Sequence, residues 1–177
     1  MVNILFIQGA GTGASDALVA DMRRHLAQGD TLDAPEMPLA DDPKAERWLP
    51  AVGVALARQT APFVAVGHSL GGSTLLQWLG ANPHPRGLRA VVTAAAPFWG
   101  EGGWNMADFA LPLGAAASLA ETPCLLLNGD ADDTVEVEHL SLYSRALPGI
   151  ETRIVAAMDH QWANGGAILL DAVRRFA

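Results

Sequence analysis

Apolar residues are distributed along this chain in two alternating patterns: short unbroken runs, and longer stretches where they return at every third or fourth position. The first run, Asn3 to Gln8, ends in Gly9-Ala10-Gly11-Thr12-Gly13, and Leu18, Val19, Met22 and Leu26 then recur at helical spacing within residues 16 to 28. This predicts strand, glycine loop and helix. Thr31 to Ala34 reads as a short second strand, followed by a proline-rich connection through Pro35, Pro38 and Pro43. Asp42 before Pro43 is a good helix start, because Asp can cap free N–H groups and Pro suits the first helical position. A helix over 43–59 follows, with a bend expected at Pro50, which lacks the N–H that would hold its turn.

Phe63 to Val66, Leu88 to Ala94, Pro123 to Asn128 and Ile150 to Ala156 read as further strands, separated by helical patterns at Leu70 to Ala81 and Glu136 to Leu147 and followed by one at Asn164 to Phe176. Strands that recur between helices imply parallel βαβ units. The expected fold is therefore α/β: a three-layer sandwich with a mostly parallel sheet of about five to six strands and helices on both faces. The alternation breaks between Ala94 and Glu121. Four of the chain's eleven aromatics, Phe98, Trp99, Trp104 and Phe109, fall in this segment together with Met106, just after a strand's carboxyl end, where open α/β sheets bind ligands. An aromatic-rich insertion at about 97–120 is expected here, with those four residues as candidates for a substrate-pocket wall; a surface loop folded over the edge of the core would look the same in sequence.

Composition narrows the picture. Half of the 177 residues are hydrophobic and 17% are charged, which suits one compact domain over 1–177. A net charge of −8 with only eleven Lys and Arg argues against nucleic acid as a partner. The single cysteine, Cys124, lies in an apolar run and reads as a core residue, so no internal disulfide and no oxidising compartment are called for. The amino terminus lacks the basic and apolar segments of a signal peptide, and no apolar run approaches the ~18 residues of a membrane span. A cytoplasmic protein is the expectation.

The candidate chemistry centres on Val66-Gly67-His68-Ser69-Leu70-Gly71-Gly72, a G-x-S-x-G pattern between a strand and a helix. The turn is sharp, and Gly67 and Gly71 stand where a side chain would strike the neighbouring strand or helix. Ser69 would be exposed above the sheet as a nucleophile, with the Leu70 N–H free to donate to a developing oxyanion. A serine hydroxyl needs a base, usually a histidine, and the histidine needs an orienting carboxylate. Of five histidines, His25 and His139 fall in helical patterns and read as solvated-face residues, while His84 lies in a connection at the opposite sheet edge. His68 adjoins Ser69, but neighbours in a sharp turn diverge, so it reads as packing beside the elbow. His160, after the last strand, is the candidate base. Asp130, Asp132 and Asp133 follow the strand Cys124 to Asn128 and compete for the acid, one of them being expected to cap the next helix. Asp132 is preferred, then Asp133, then Asp130.

The order Ser69, Asp132, His160 is that of α/β-hydrolases, and the chain resembles the α/β-hydrolase fold superfamily in a minimal form without a separate cap domain. Within it, the early glycine loop, Met37-Pro38, Trp48-Leu49-Pro50, Gly67-His68-Ser69, Gly129 with Asp132 and then His160 look most like small serine hydrolases typified by retinoblastoma-binding protein nine and its bacterial relatives. The resemblance implies Ser69 as nucleophile, Asp132 as acid, His160 as base, and oxyanion donors at the backbone N–H groups of Leu70 and Ala10. Gln8 stands where many such enzymes have His, and Asp159 where a glycine often precedes the base. The implied activity is hydrolysis of an acyl bond, most simply a carboxylic ester of modest size, with no metal and no organic cofactor; amides, peptides and thioesters can use the same groups. Two readings of other classes compete. Gly9 to Ala14 also fits the dinucleotide fingerprint G-x-G-x-x-A, with Asp33 as a ribose partner, and a hydrolase-like protein can bind a partner without doing chemistry.

Overall fold

The computed structural model describes residues 1–105 and 107–177; Met106, noted above in the aromatic segment, lies outside the described residues. Six parallel strands form one sheet: β1 (Asn3–Ile7), β2 (Thr31–Asp33), β3 (Phe63–His68), β4 (Leu88–Ala94), β5 (Cys124–Gly129) and β6 (Glu151–Val155). Their spatial order is β2-β1-β3-β4-β5-β6. The helices are α1 (Asp16–Arg24), α2 (Ala45–Ala57), α3 (Leu70–Ala81), the short α4 (Ala115–Leu119), α5 (Glu138–Ala146) and α6 (Gly166–Arg174).

Two-residue periodicity in the strands divides the core in two. Leu5, Ile7, Ala65, Val91 and Leu126 face one side and pack with Trp48, Val52, Leu75, Leu76, Leu79 and Tyr143 of α2, α3 and α5. Ile4, Phe6, Val64, Val66, Val92, Leu125 and Leu127 face the other and pack with Leu18, Met22, Leu169, Leu170 and Val173 of α1 and α6. The central strands β3 and β5 are buried along their whole length, and β4 everywhere but at Arg89, because helices cover both faces. The sheet runs from β1 outward to β2, then reverses and builds from β3 to β6. The reversal opens a crevice between the carboxyl ends of β1 and β3, the place where such sheets hold ligands.

Several local expectations change. Helix α2 starts at Ala45 with Lys44 as its cap, not at Pro43, because the Asp42 carboxylate is taken up by Lys44 and Arg47. As expected, Pro50 lies within a single helical element; Trp48, fully buried and donating its Nε1–H to the Pro38 carbonyl at 2.9 Å, anchors the preceding turn on the core. No aspartate caps α5, which starts at Glu138 behind Val137. The segment between β4 and β5 folds as a tight Trp99–Trp104 bridge, a 3₁₀ turn at Ala107–Phe109, and α4.

Candidate active site

The crevice brings together the loop after β1, the turn after β3 and the loops after β5 and β6. Ser69 closes β3 and opens α3 with φ 49° and ψ −124°, a conformation that costs a non-glycine residue free energy and survives because its surroundings impose it. Those surroundings are explicit. The Ser69 N–H donates to the Ala94 carbonyl at 2.8 Å and its carbonyl accepts from Gly72 at 2.9 Å. A Cβ at Gly67 would stand 2.5 Å from the Gly72 Cα, and one at Gly71 would strike the Ile7 and Gln8 carbonyl oxygens. Helix α3 is thereby pressed against the end of β1, and the serine side chain is turned outward.

His160 lies in the loop after β6. Its Nε2 is 3.1 Å from Ser69 Oγ, and its Nδ1 is 2.9 Å and 3.1 Å from the two carboxylate oxygens of Asp132. A carboxylate only accepts, so Nδ1 carries the ring proton and Nε2 presents a lone pair to the serine hydroxyl. Asp132 accepts further hydrogen bonds from the N–H groups of Thr134 and Val135. Burial alone would raise its pKa, but the bonds from His160, Val135 and Thr134 outweigh that and hold the carboxyl below its ordinary value. The other two aspartates are employed elsewhere: Asp130 accepts the Ala157 N–H at 2.6 Å, stapling the loop after β5 to the loop after β6, and Asp133 reaches only Thr134. Of the three aspartates, only Asp132 is hydrogen-bonded to His160. Asp159, in the place of a glycine, accepts the Trp162 N–H at 3.1 Å and so shapes the turn that carries His160.

In the loop after β1, the Gly9 N–H donates to Ser15 Oγ, the Gly11 N–H to the Ala40 carbonyl and the Thr12 N–H to the Asp41 carboxylate. Among the described residues neither Ala10 nor Leu70 has a protein acceptor for its N–H. Gly9 lies against the turn at Ser69, a Cβ there standing 3.2 Å from the Ser69 Cβ. Leu70 follows Ser69 directly and Ala10 follows Gly9, so the two loops that meet at Ser69 each carry an N–H without a protein acceptor. The same bonds weaken the dinucleotide reading, since this loop has no row of free N–H groups for a pyrophosphate, and Asp33 is engaged by Gln59 and Arg58.

Ser73, one turn into α3, is a second buried serine, but its hydroxyl donates to the Pro97 carbonyl at 2.6 Å. The aromatic segment departs from a simple pocket wall. Phe109 is 2% exposed and belongs to the core against Trp99, because its 3₁₀ turn points it inward. Trp104 stacks edge-on with Trp99 and with His139, while Phe98 stacks on Tyr143. Phe98 and Trp99 line a groove of about 380 Å³ with Leu111 to Ala116, and Ser69, Asp132 and His160 are not part of its lining. His139, expected on a solvated face, is instead 8% exposed and accepts the Phe98 N–H at Nδ1; burial holds its pKa below the ordinary value, against the opposing pull of Glu136, Asp132 and Glu138. Burial also pushes the Cys124 thiol up to about 12, leaving it inert. Among the described residues no cluster of metal-ligating side chains occurs and no helix is long and apolar enough to cross a membrane.

This architecture is the α/β-hydrolase fold. Solved structures agree: the ydeN gene product of B. subtilis superposes with a TM-score of 0.81 at 17% identity, covering 99% of this chain and 98% of its own. Est1E from Butyrivibrio proteoclasticus gives 0.69 at 15% over 99% and 86%, and a pyrethroid hydrolase from Sphingobium faniae JZ-2 gives 0.70 at 16% over 99% and 96%. No curated protein matches the sequence significantly. The family model described as serine hydrolase matches residues 19–166, and the chain belongs to that family.

Proposed function

We propose that this serine hydrolase cleaves carboxylic esters of modest size through an acyl-enzyme on Ser69. The observation that carries the reading is one imidazole held between a buried carboxylate, 2.9 Å from Nδ1, and a strained serine hydroxyl, 3.1 Å from Nε2. Ser69 Oγ attacks the carbonyl carbon while His160 Nε2 takes its proton; Asp132 holds the ring and stabilises the imidazolium. The oxyanion receives the N–H groups of Ala10 and Leu70. Collapse expels the alcohol, which takes the proton from His160, and water then repeats the attack to release the acid and restore the serine. This chemistry calls for no metal or organic cofactor. Residues 1–177 act as one hydrolase unit without a separate cap domain. The ester preference is favoured by the short segment between β4 and β5, which offers little material for a large lid, and by a structural neighbour described as the esterase domain of a Rhodothermus marinus protein.

A fluorophosphonate probe tests the reading. One label per chain on Ser69 is expected, with none on Ser69→Ala and little on His160→Ala. A chain-length series of p-nitrophenyl esters beside a panel of amide substrates then reads the acyl preference. A folded wild type that takes no label and turns over neither class would sink the proposal.

A further inference from the structure

Two buried side chains that take no part in the chemistry just described join the oxyanion loop to the base loop. Ser15 precedes α1 in the usual place of a helix cap, yet its side chain caps nothing. Its Oγ instead accepts the Gly9 N–H at 2.9 Å and lies 2.9 Å from His68 Nδ1. His68, at the end of β3, reaches across with Nε2 2.8 Å from the His160 carbonyl oxygen. Both residues are almost completely buried, Ser15 at 3% and His68 at 2% exposure.

The donor directions are forced. A carbonyl oxygen only accepts, so His68 must carry its proton on Nε2, and Nδ1 is then a lone pair that accepts the Ser15 hydroxyl. The hydroxyl, having donated, accepts from Gly9. The chain of donors therefore runs from the Gly9 N–H to Ser15, from Ser15 to His68, and from His68 to the His160 backbone. Burial holds the His68 pKa down at about 4, against the raising effect of its bond to His160, so the neutral ring persists across the neutral range.

We infer that His68 and Ser15 are positioning residues, a neutral hydrogen-bonded bridge that sets the oxyanion donor at Ala10 and the imidazole of His160 at a fixed distance from each other across Ser69. The inference rests on the hydrolase reading above. Ala10 follows Gly9 directly, and the His160 carbonyl belongs to the residue whose ring must meet Ser69 Oγ. A donor and a base built on separate loops, at the ends of β1 and β6, have no covalent reason to stay in register; small misplacements of such groups lower the rate steeply.

The test compares wild type, Ser15→Ala, His68→Leu, His68→Gln and the Ser15→Ala/His68→Leu double variant on p-nitrophenyl acetate, with urea unfolding to confirm the fold of each. His68→Leu and Ser15→Ala should each lower kcat roughly 10- to 100-fold while leaving KM within about threefold. His68→Gln, whose amide can still donate to the carbonyl, should recover most of kcat, and the double variant should be no worse than His68→Leu, since both changes break one chain. If His68→Leu does not fold, Ser15→Ala carries the kinetic arm. Wild-type kcat in a folded Ser15→Ala or His68→Leu, a His68→Gln as impaired as His68→Leu, or strictly additive losses would each overturn the bridge. Nitrogen-15 NMR of the wild-type His68 ring separates this failure from that of the hydrolase reading. A protonated Nε2 and bare Nδ1 support the bridge even if no Ser69-dependent turnover is found, and the opposite tautomer overturns it whatever the activity.

Discussion

Replacing Asp132 by Asn changes one atom, and the surrounding hydrogen bonds dictate the result. Asp132 Oδ1 receives the N–H groups of Thr134 and Val135 at 2.9 Å and 2.8 Å, a local turn that an asparagine carbonyl can keep. The new amide must then take the position of Oδ2, 2.9 Å from His160 Nδ1. Two donors would face each other there, and the ring escapes by moving its proton to Nε2. That nitrogen then points an N–H at Ser69 Oγ where a lone pair is required. The fold is kept and the base is lost: kcat should fall about 10⁴-fold, or about 5 kcal/mol of transition-state stabilisation. KM should change little, because Asp132 is enclosed behind His160. Asp132→Ala should match that loss and also destabilise the fold by about 1–3 kcal/mol, since the Thr134 and Val135 N–H groups lose their acceptor. Steady-state kinetics on p-nitrophenyl acetate with urea unfolding of both variants reads the two effects separately. An Asp132→Asn enzyme within about tenfold of wild-type kcat would refute the assigned tautomer.

Three further outcomes follow from the same geometry. His68 is charged in the unfolded chain below about 6.5 but stays neutral in the fold down to about 4, so stability should decline by about 3 kcal/mol as pH falls through that window; urea titrations at stepped pH should show the decline flattened in His68→Gln, and an unchanged slope would contradict the buried neutral ring. Gly67→Ala drives a methyl group into the backbone of Gly72 at 2.5 Å, so the variant should lose upwards of ~3 kcal/mol or fail to fold, measured by thermal melting. Ser73→Ala should cost about 1 kcal/mol, because Tyr143 still donates to the Pro97 carbonyl at 2.8 Å, and it should keep full fluorophosphonate labelling; loss of the label would move the nucleophile away from Ser69.

The alternating runs placed all six strands within a few residues: β3 and β5 are buried on both faces and read as largely apolar runs, while the edge strands β2 and β6 are short and mostly exposed. Residues 70–81 matched α3 at both ends, since the sharp turn at Ser69 punctuates one end and Asn82-Pro83 the other. Helix starts were less legible. Asp42 pairs with Lys44 and Arg47 instead of capping, and Trp48, two residues before Pro50, is fully buried; neither partner choice can be read from local pattern. His139 looked solvated because its helix is polar by count; the aromatic segment that covers it arrives from a distant part of the chain.

At the site, the sequence by itself determined the residue types and their order: a serine between glycines that only a sharp turn requires, an acid after the fifth strand and a histidine after the sixth. The sequence could only rank three aspartates, with Asp132 first; the tertiary structure has Asp132 facing the histidine. Asp130, Asp132 and Asp133 are equivalent in composition, and the choice rests on the loop geometry that spends Asp130 on Ala157 and leaves Asp132 at His160. It decided, too, that Ala10 keeps a free N–H while Gly9, Gly11 and Thr12 do not, and that His68 reaches the His160 carbonyl. Local pattern encodes what each segment can form. Partners from distant segments exist only once the sheet has been assembled, and hydrogen bonds between such loops leave no periodicity in the chain.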